Sequence, residues 1–169
     1  MAASDRSEII SITEEGQVES LNLASFYIFK SGDGLTEGYS IIGKVYAGGV
    51  IGNWTTLEVT DSYIKDKEGG SQTWGIKEPV DMRKYKKLKA RVLFQVSELN
   101  GEASLALTVT STVLEGTTLT NILASAELSP TEVGKESILV VDISNLNDAF
   151  YINWNMKYTQ SEVYDIWLE

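Results

Sequence analysis

The sequence predicts an all-β fold of antiparallel strands, a sandwich or barrel with little helix. Three observations carry that prediction. Over residues 88–169 the chain strings together six short runs, LKARVLFQV, ASLALTVTST, NILASAEL, SILVVDI, AFYINWNM and EVYDIWL, each alternating or largely apolar. Brief polar or glycine-bearing turns separate them at a spacing of roughly 8 to 14 residues, the rhythm of sandwich strands. The composition, 43% hydrophobic and 22% charged with two prolines, is ordinarily globular, and 169 residues suit one domain with one sizeable core.

From the N terminus, residues 8–13 (EIISIT) and 18–29 (VESLNLASFYIF) read as strands parted by Glu14, Glu15 and Gly16. They form either a leading hairpin on the same sheet or an assembly arm, so residues 1–29 are set apart from a sandwich domain over 30–169. The SGDG at residues 31–34 is a strong turn. Residues 39–46 and 55–65 follow as strands, with Gly48, Gly49 and Gly52 crowding their connection. DKEGGSQT is polar and loop-like, and residues 74–77 make a short extended segment before Pro79. In residues 81–92, Met82, Tyr85, Leu88 or Lys89, and Val92 fall at helical spacing. A short turn over 80–86 and a strand from Leu88 are expected, with a longer helix as the alternative.

A net charge of −10 disfavours nucleic acid, whose affinity comes from Lys and Arg displacing counterions, and it disfavours anionic membranes. Acidic excess also serves solubility. The chain has no Cys and no His. Disulfides, thiolate or imidazole zinc sites and the Ser-His-Asp and Cys-His mechanisms are therefore excluded, and no enzymatic activity is expected. Residues 1–20 lack a basic start followed by an apolar stretch, and no window approaches the roughly 18 apolar residues of a span. Neither membrane insertion nor an N-terminal export signal is expected.

Gly38 to Lys44 (GYSIIGK) fits the opening of a P-loop, but Val45 stands where Ser or Thr would hold magnesium, and the segment reads as a strand interrupted by glycine. Asp33, Asp61, Asp66 and Glu68 are oxygen ligands of the kind calcium favours, without EF-hand spacing, so no cofactor is expected beyond a structural calcium ion. Arg83, Lys84, Lys86, Lys87, Lys89 and Arg91 gather six of the 14 basic residues. They are either an assembly stripe that meets acidic partners or lysines guarding an edge strand. Trp54 and Trp74 lie beside glycine-rich loops, where with Tyr63 they are candidates for stacking on a sugar; packing within turns is the alternative. Trp154 and Trp167 lie within strong strands and read as core or core-rim.

VDMRKYKKLKARVLF, LALTVTST, VVDISNLNDAFYINWNM and the closing EVYDIWLE together resemble the galactose-binding-like jelly-roll domains of bacteriophage tail, baseplate and other virion proteins. The resemblance covers residues 80–169, and Asp148 departs from it where such domains often carry Gly. It implies a jelly-roll β-sandwich and a virion component assembled in the host cytoplasm. Its partners would be other virion proteins and further copies of itself as a homo-oligomer, with a host-surface carbohydrate as a further ligand. A carbohydrate-binding module is the alternative function, and a small glycoside hydrolase working through two carboxylates is the third.

Overall fold

The computed structural model describes residues 9–12, 18–22, 24–47, 50–52, 57–66, 72–95, 103–115, 119–128 and 134–169. All regular structure among them is β. In chain order the strands are β1 (Ile9–Ile12), β2 (Val18–Asn22), β3 (Phe26–Lys30), β4 (Gly34–Leu35), β5 (Ile41–Ala47), β6 (Val50–Gly52), β7 (Leu57–Val59) and β8 (Ile64–Asp66). After these come β9 (Gln72–Ile76), β10 (Val80–Asp81), β11 (Lys87–Leu93), β12 (Ser104–Thr110), β13 (Ile122–Leu128), β14 (Glu136–Asp142), β15 (Ala149–Lys157) and β16 (Glu162–Leu168).

Two antiparallel sheets make the sandwich. The first runs β13-β12-β15-β9-β5-β6, with β10 on the start of β15; the second runs β14-β11-β16-β3-β4, with β8 on β16 and β7 on β8. Successive strands β14, β15 and β16 pass from the second sheet to the first and back. Side chains alternate between faces along a strand, and the sequence obeys that period. Leu88, Ala90 and Val92 of β11, Leu105, Leu107 and Val109 of β12, and Ile152, Trp154 and Met156 of β15 all enter one core.

The structure corrects several expectations. Residues 18–29 are two strands, not one, and β3 pairs with β16 while Ile28 and Phe29 are fully buried. Phe26 to Phe29 therefore belong to the sandwich, and the boundary drawn after residue 29 falls within one of its strands. β1 and β2 pair with each other in a two-stranded sheet. Gln72, assigned to a polar loop, opens β9, a strand buried along its whole length. At the 31–34 turn, Gly34 has φ +80 and lies where a Cβ would stand 2.7 Å from Asp61 Oδ1, so glycine is required twice over.

Of the turn expected over 80–86, Val80–Asp81 instead form β10 on β15, and the turn follows, closed by the Tyr85 N–H donating to Met82 O at 3.2 Å, with β11 directly after it. No long helix forms here, because every second residue from Leu88 must reach the core.

Candidate functional site

Of the residues proposed for sugar stacking, Trp74 and Tyr63 do not converge. Trp74 is fully buried and lies opposite Trp154 in the core, ring centroids 5.6 Å apart and 15° from parallel. It is no surface platform, because β9 is an inner strand and alternation turns Trp74 inward. Tyr63 stands on the β7–β8 turn of the second sheet, its hydroxyl donating to Glu58 Oε1 at 3.3 Å. Trp54 lies outside the described residues.

The basic stripe is likewise divided. β11 pairs with β14 on one side and β16 on the other, so it is an inner strand and its lysines guard no edge. Lys89 is bound to Glu169 at 2.6 Å, and Arg91 bridges Asp165 at 2.7 Å and Glu136 at 3.0 Å. Arg83 grips Asp81 through its side chain and its backbone N–H. Lys84, Lys86 and Lys87 are exposed.

That grip makes a testable acid response. The Arg83 hydrogen bonds hold the Asp81 carboxyl down at about 2 against an ordinary 3.8. A depressed carboxylate pKa stabilises the fold above the unfolded value, and the contribution is lost as pH falls from about 4 towards 2. In Arg83→Ala the carboxyl should titrate closer to its ordinary value, a change that carbon NMR of the side chain would follow. A curve identical to wild type would contradict the assignment.

The outer face of the second sheet saturates itself. Tyr27 stacks on Trp167 at 5.7 Å, Lys30 covers the Tyr27 ring at 5.0 Å, and Arg91 covers Tyr164 at 4.8 Å. The Trp167 indole N–H donates to Glu169 Oε1 at 3.0 Å. Burial and the Glu162 carboxylate push the Tyr164 phenol up to about 12. These aromatic faces already have partners, which leaves little for a ligand. Trp167, half-buried on this face, is not a core residue; Val163, Ile166 and Leu168 supply the core side of β16.

Asp66, one of the calcium candidates, is fully buried, Asp33 and Asp61 are exposed, and Glu68 lies outside the described residues. Among the described residues no three acidic side chains come together as a metal site.

The outer face of the first sheet is different. Since Leu105, Leu107 and Val109 point inward, Ala106, Thr108 and Thr110 point outward, beside Tyr151, Asn153 and Asn155 of β15. One cleft of about 400 Å³ is lined by Ala106, Thr108, Leu119, Ile122, Ser125, Glu127 and Asn155. A second, of about 460 Å³, is lined by Ser111, Thr112, Val113, Glu115, Thr120, Asn121 and Tyr151. The small side chains of Ala106, Thr108 and Ser125 keep the sheet surface low. Among the described residues no lysine or arginine lines either cleft.

Between Tyr151 and Asn155, Asn153 forms a buried polar seam. Its Nδ2 donates to Thr110 Oγ1 at 2.8 Å, Thr110 Oγ1 donates to Thr112 O at 2.7 Å, and Thr108 Oγ1 donates to Asn153 O at 3.2 Å. Asn153 Oδ1 is buried with no hydrogen-bond partner. Leaving such an acceptor unpaired costs about 1–3 kcal/mol. Gly75, directly opposite, makes room for the amide, since a Cβ there would collide with it and with Ile152 O. Sequence reading missed this face because threonine, serine and asparagine on alternate positions look like any solvated strand surface.

A third concavity, of about 240 Å³, is lined by Phe26, Tyr39, Asp81, Lys84 and Tyr85. Burial, then Glu78 and Asp81, raises the Tyr39 phenol.

No protein-family model and no curated protein matches the chain. Among solved structures it is similar to a family 29 carbohydrate-binding module, at 15% identity and a TM-score of 0.47, with 86% of this chain and 91% of that chain covered. It is also similar to the exoplasmic/lumenal domain of VIP36 in its calcium- and mannose-bound form, at 9% identity and a TM-score of 0.48, with 86% and 88% covered. Likenesses at this level concern the layout of strands and assign no ligand, and neither carries a bacteriophage setting. The chain is an all-β antiparallel sandwich.

Proposed function

We propose that this domain is a non-catalytic carbohydrate-binding module that takes a neutral, hydroxyl-rich glycan on the outer face of its first sheet. The observation that carries the reading is the lining of the two clefts, which among the described residues offers hydroxyl, amide and carboxylate groups with one aromatic ring and no cation. Such a surface disfavours phosphate and other anions, whereas sugar hydroxyls both donate to carboxylates and accept from amides. Tyr151 offers a ring against which a pyranose can stack.

Among the described residues each cleft holds a single carboxylate, Glu127 in one and Glu115 in the other. Glycoside hydrolysis usually needs two flanking one bond, so binding without cleavage is favoured. The bacteriophage virion setting stays with the sequence resemblance, since nothing in the clefts calls for it.

A panel of neutral polysaccharides and oligosaccharides, followed by calorimetry, provides the test. Tyr151→Ala should weaken binding about tenfold or more, equivalent to about 1.4 kcal/mol, and Tyr63→Ala on the other sheet should leave it unchanged. Failure of every neutral glycan to bind, or equal loss in both variants, would overturn the reading.

A further inference from the structure

We propose that the open edge of the second sheet is a dimerisation surface on which β14 of one copy pairs antiparallel with β14 of a second copy. Among the described residues, four of the five large hydrophobic side chains left exposed lie on two strands: Ile138 (54%) and Val140 (44%) on β14, Ile122 (51%) and Leu123 (43%) on β13. These strands are the edges of their respective sheets and approach each other at one side of the sandwich. The clustering singles out that side.

β14 lacks most of the devices that keep an edge single, its only charges being Glu136 and Asp142 at its two ends. Its sequence ESILVVD has no lysine or proline, and its register with β11 runs unbroken from Asp142 opposite Lys87 to Glu136 opposite Leu93. The phase of that ladder decides which backbone groups are free. The Ile143 N–H donates to Lys86 O at 2.9 Å, so by alternation Val141, Leu139 and Ser137 turn their backbone groups to β11. Ile138 and Val140 turn theirs to the open edge.

A two-fold register that places Leu139 opposite its counterpart satisfies both requirements. It sets Ile138 of each copy against Val140 of the other as hydrogen-bonded pairs and joins their exposed side chains into one apolar patch. The same register brings Glu136 beside Asp142. Each acid already has a cation from β11, Arg91 at 3.0 Å from Glu136 and Lys87 directly opposite Asp142. The like-charge pairs, offset by these cations, oppose pairing; the match of Ile138 with Val140, made twice by one two-fold, selects a second copy over a foreign strand. The axis stands perpendicular to the sheet, so both first-sheet faces point the same way. Two clefted faces would then meet one glycan surface with avidity, a consequence that rests on the glycan reading, whereas the pairing does not.

The test needs no ligand. Light scattering should give the mass of two 18.6 kDa chains, with association strengthening as salt screens the charge of −10 on each copy. Val140→Lys should give a folded monomer, while Val59→Lys, at an exposed site on β7, should leave the dimer intact. If Val140→Lys fails to fold, amide exchange on the wild type decides: Ile138 and Val140 should be protected about tenfold or more at high concentration and lose that protection on dilution. Leu139 should be protected throughout. A monomer at every concentration, a dimer that survives Val140→Lys, or fast concentration-independent exchange at Ile138 and Val140 would overturn the proposal.

Discussion

Replacing Trp154 with alanine should lower the melting temperature by roughly 6–20 °C. Trp154 is fully buried and faces Trp74 across adjacent strands of the first sheet, the rings stacked at 5.6 Å. Removing a buried tryptophan leaves a large cavity that close-packed neighbours fill only in part, at a cost of about 3–5 kcal/mol. For a chain of this size each kcal/mol corresponds to about 2–4 °C. Both indole N–H groups are buried without a hydrogen-bond partner. Trp154→Phe keeps much of the packing and deletes an unpaired donor, so it should lose far less. Trp167→Ala, on the outer face, should cost only about 1 kcal/mol, the scale of one aromatic pair. Thermal denaturation of the three variants measures the ordering, and a Trp154→Ala protein that melts like wild type would contradict this core.

Gly75→Ala should be nearly as damaging although it adds one methyl group. The added Cβ would stand 2.5 Å from Ile152 O and 2.9 Å from Asn153 Cγ, and closer still to Asn153 Oδ1. A carbonyl of an inner strand cannot step aside without breaking ladder hydrogen bonds, so the strain is not relieved by a rotamer change. Overpacking of this kind costs about 1–3 kcal/mol or somewhat more. The displaced amide would also disturb the Asn153–Thr110 hydrogen bond between the two clefts. Glycan binding should therefore fall in Gly75→Ala even at temperatures where the protein remains folded. An unperturbed melting point together with wild-type binding would show that β9 and β15 are not packed in this way.

The strands from β11 onward were readable because each carries its own period. KLKARVL alternates, LALTV and INWNM send every second side chain into the hydrophobic core, and the turns between them are polar, so local sequence is enough to place an element and its two faces. What surrounds a face is not a local property. Trp74 and Trp167 illustrate this: one follows glycines and was a candidate for an exposed platform, yet is fully buried, and the other, read as core or core-rim, is half-buried on the outer face. The stripe of β11 lysines has the composition of a guarded edge, yet β14 and β16 flank it. The clefts of the first sheet gave no signal, because Ala106, Thr108, Asn155 and Tyr151 matter only once β12 and β15 lie side by side.

The sequence by itself determined that this chain is all-β and antiparallel, that histidine and cysteine chemistry is closed to it, and where most strands from β11 onward lie. Only the tertiary structure decided which strands are edges, which tryptophans are covered, and which polar face becomes a groove. The reason is physical: period-two alternation is written between neighbours in the chain, whereas pairing order and burial are set by contacts between residues such as Gly75 and Asn153, 78 positions apart.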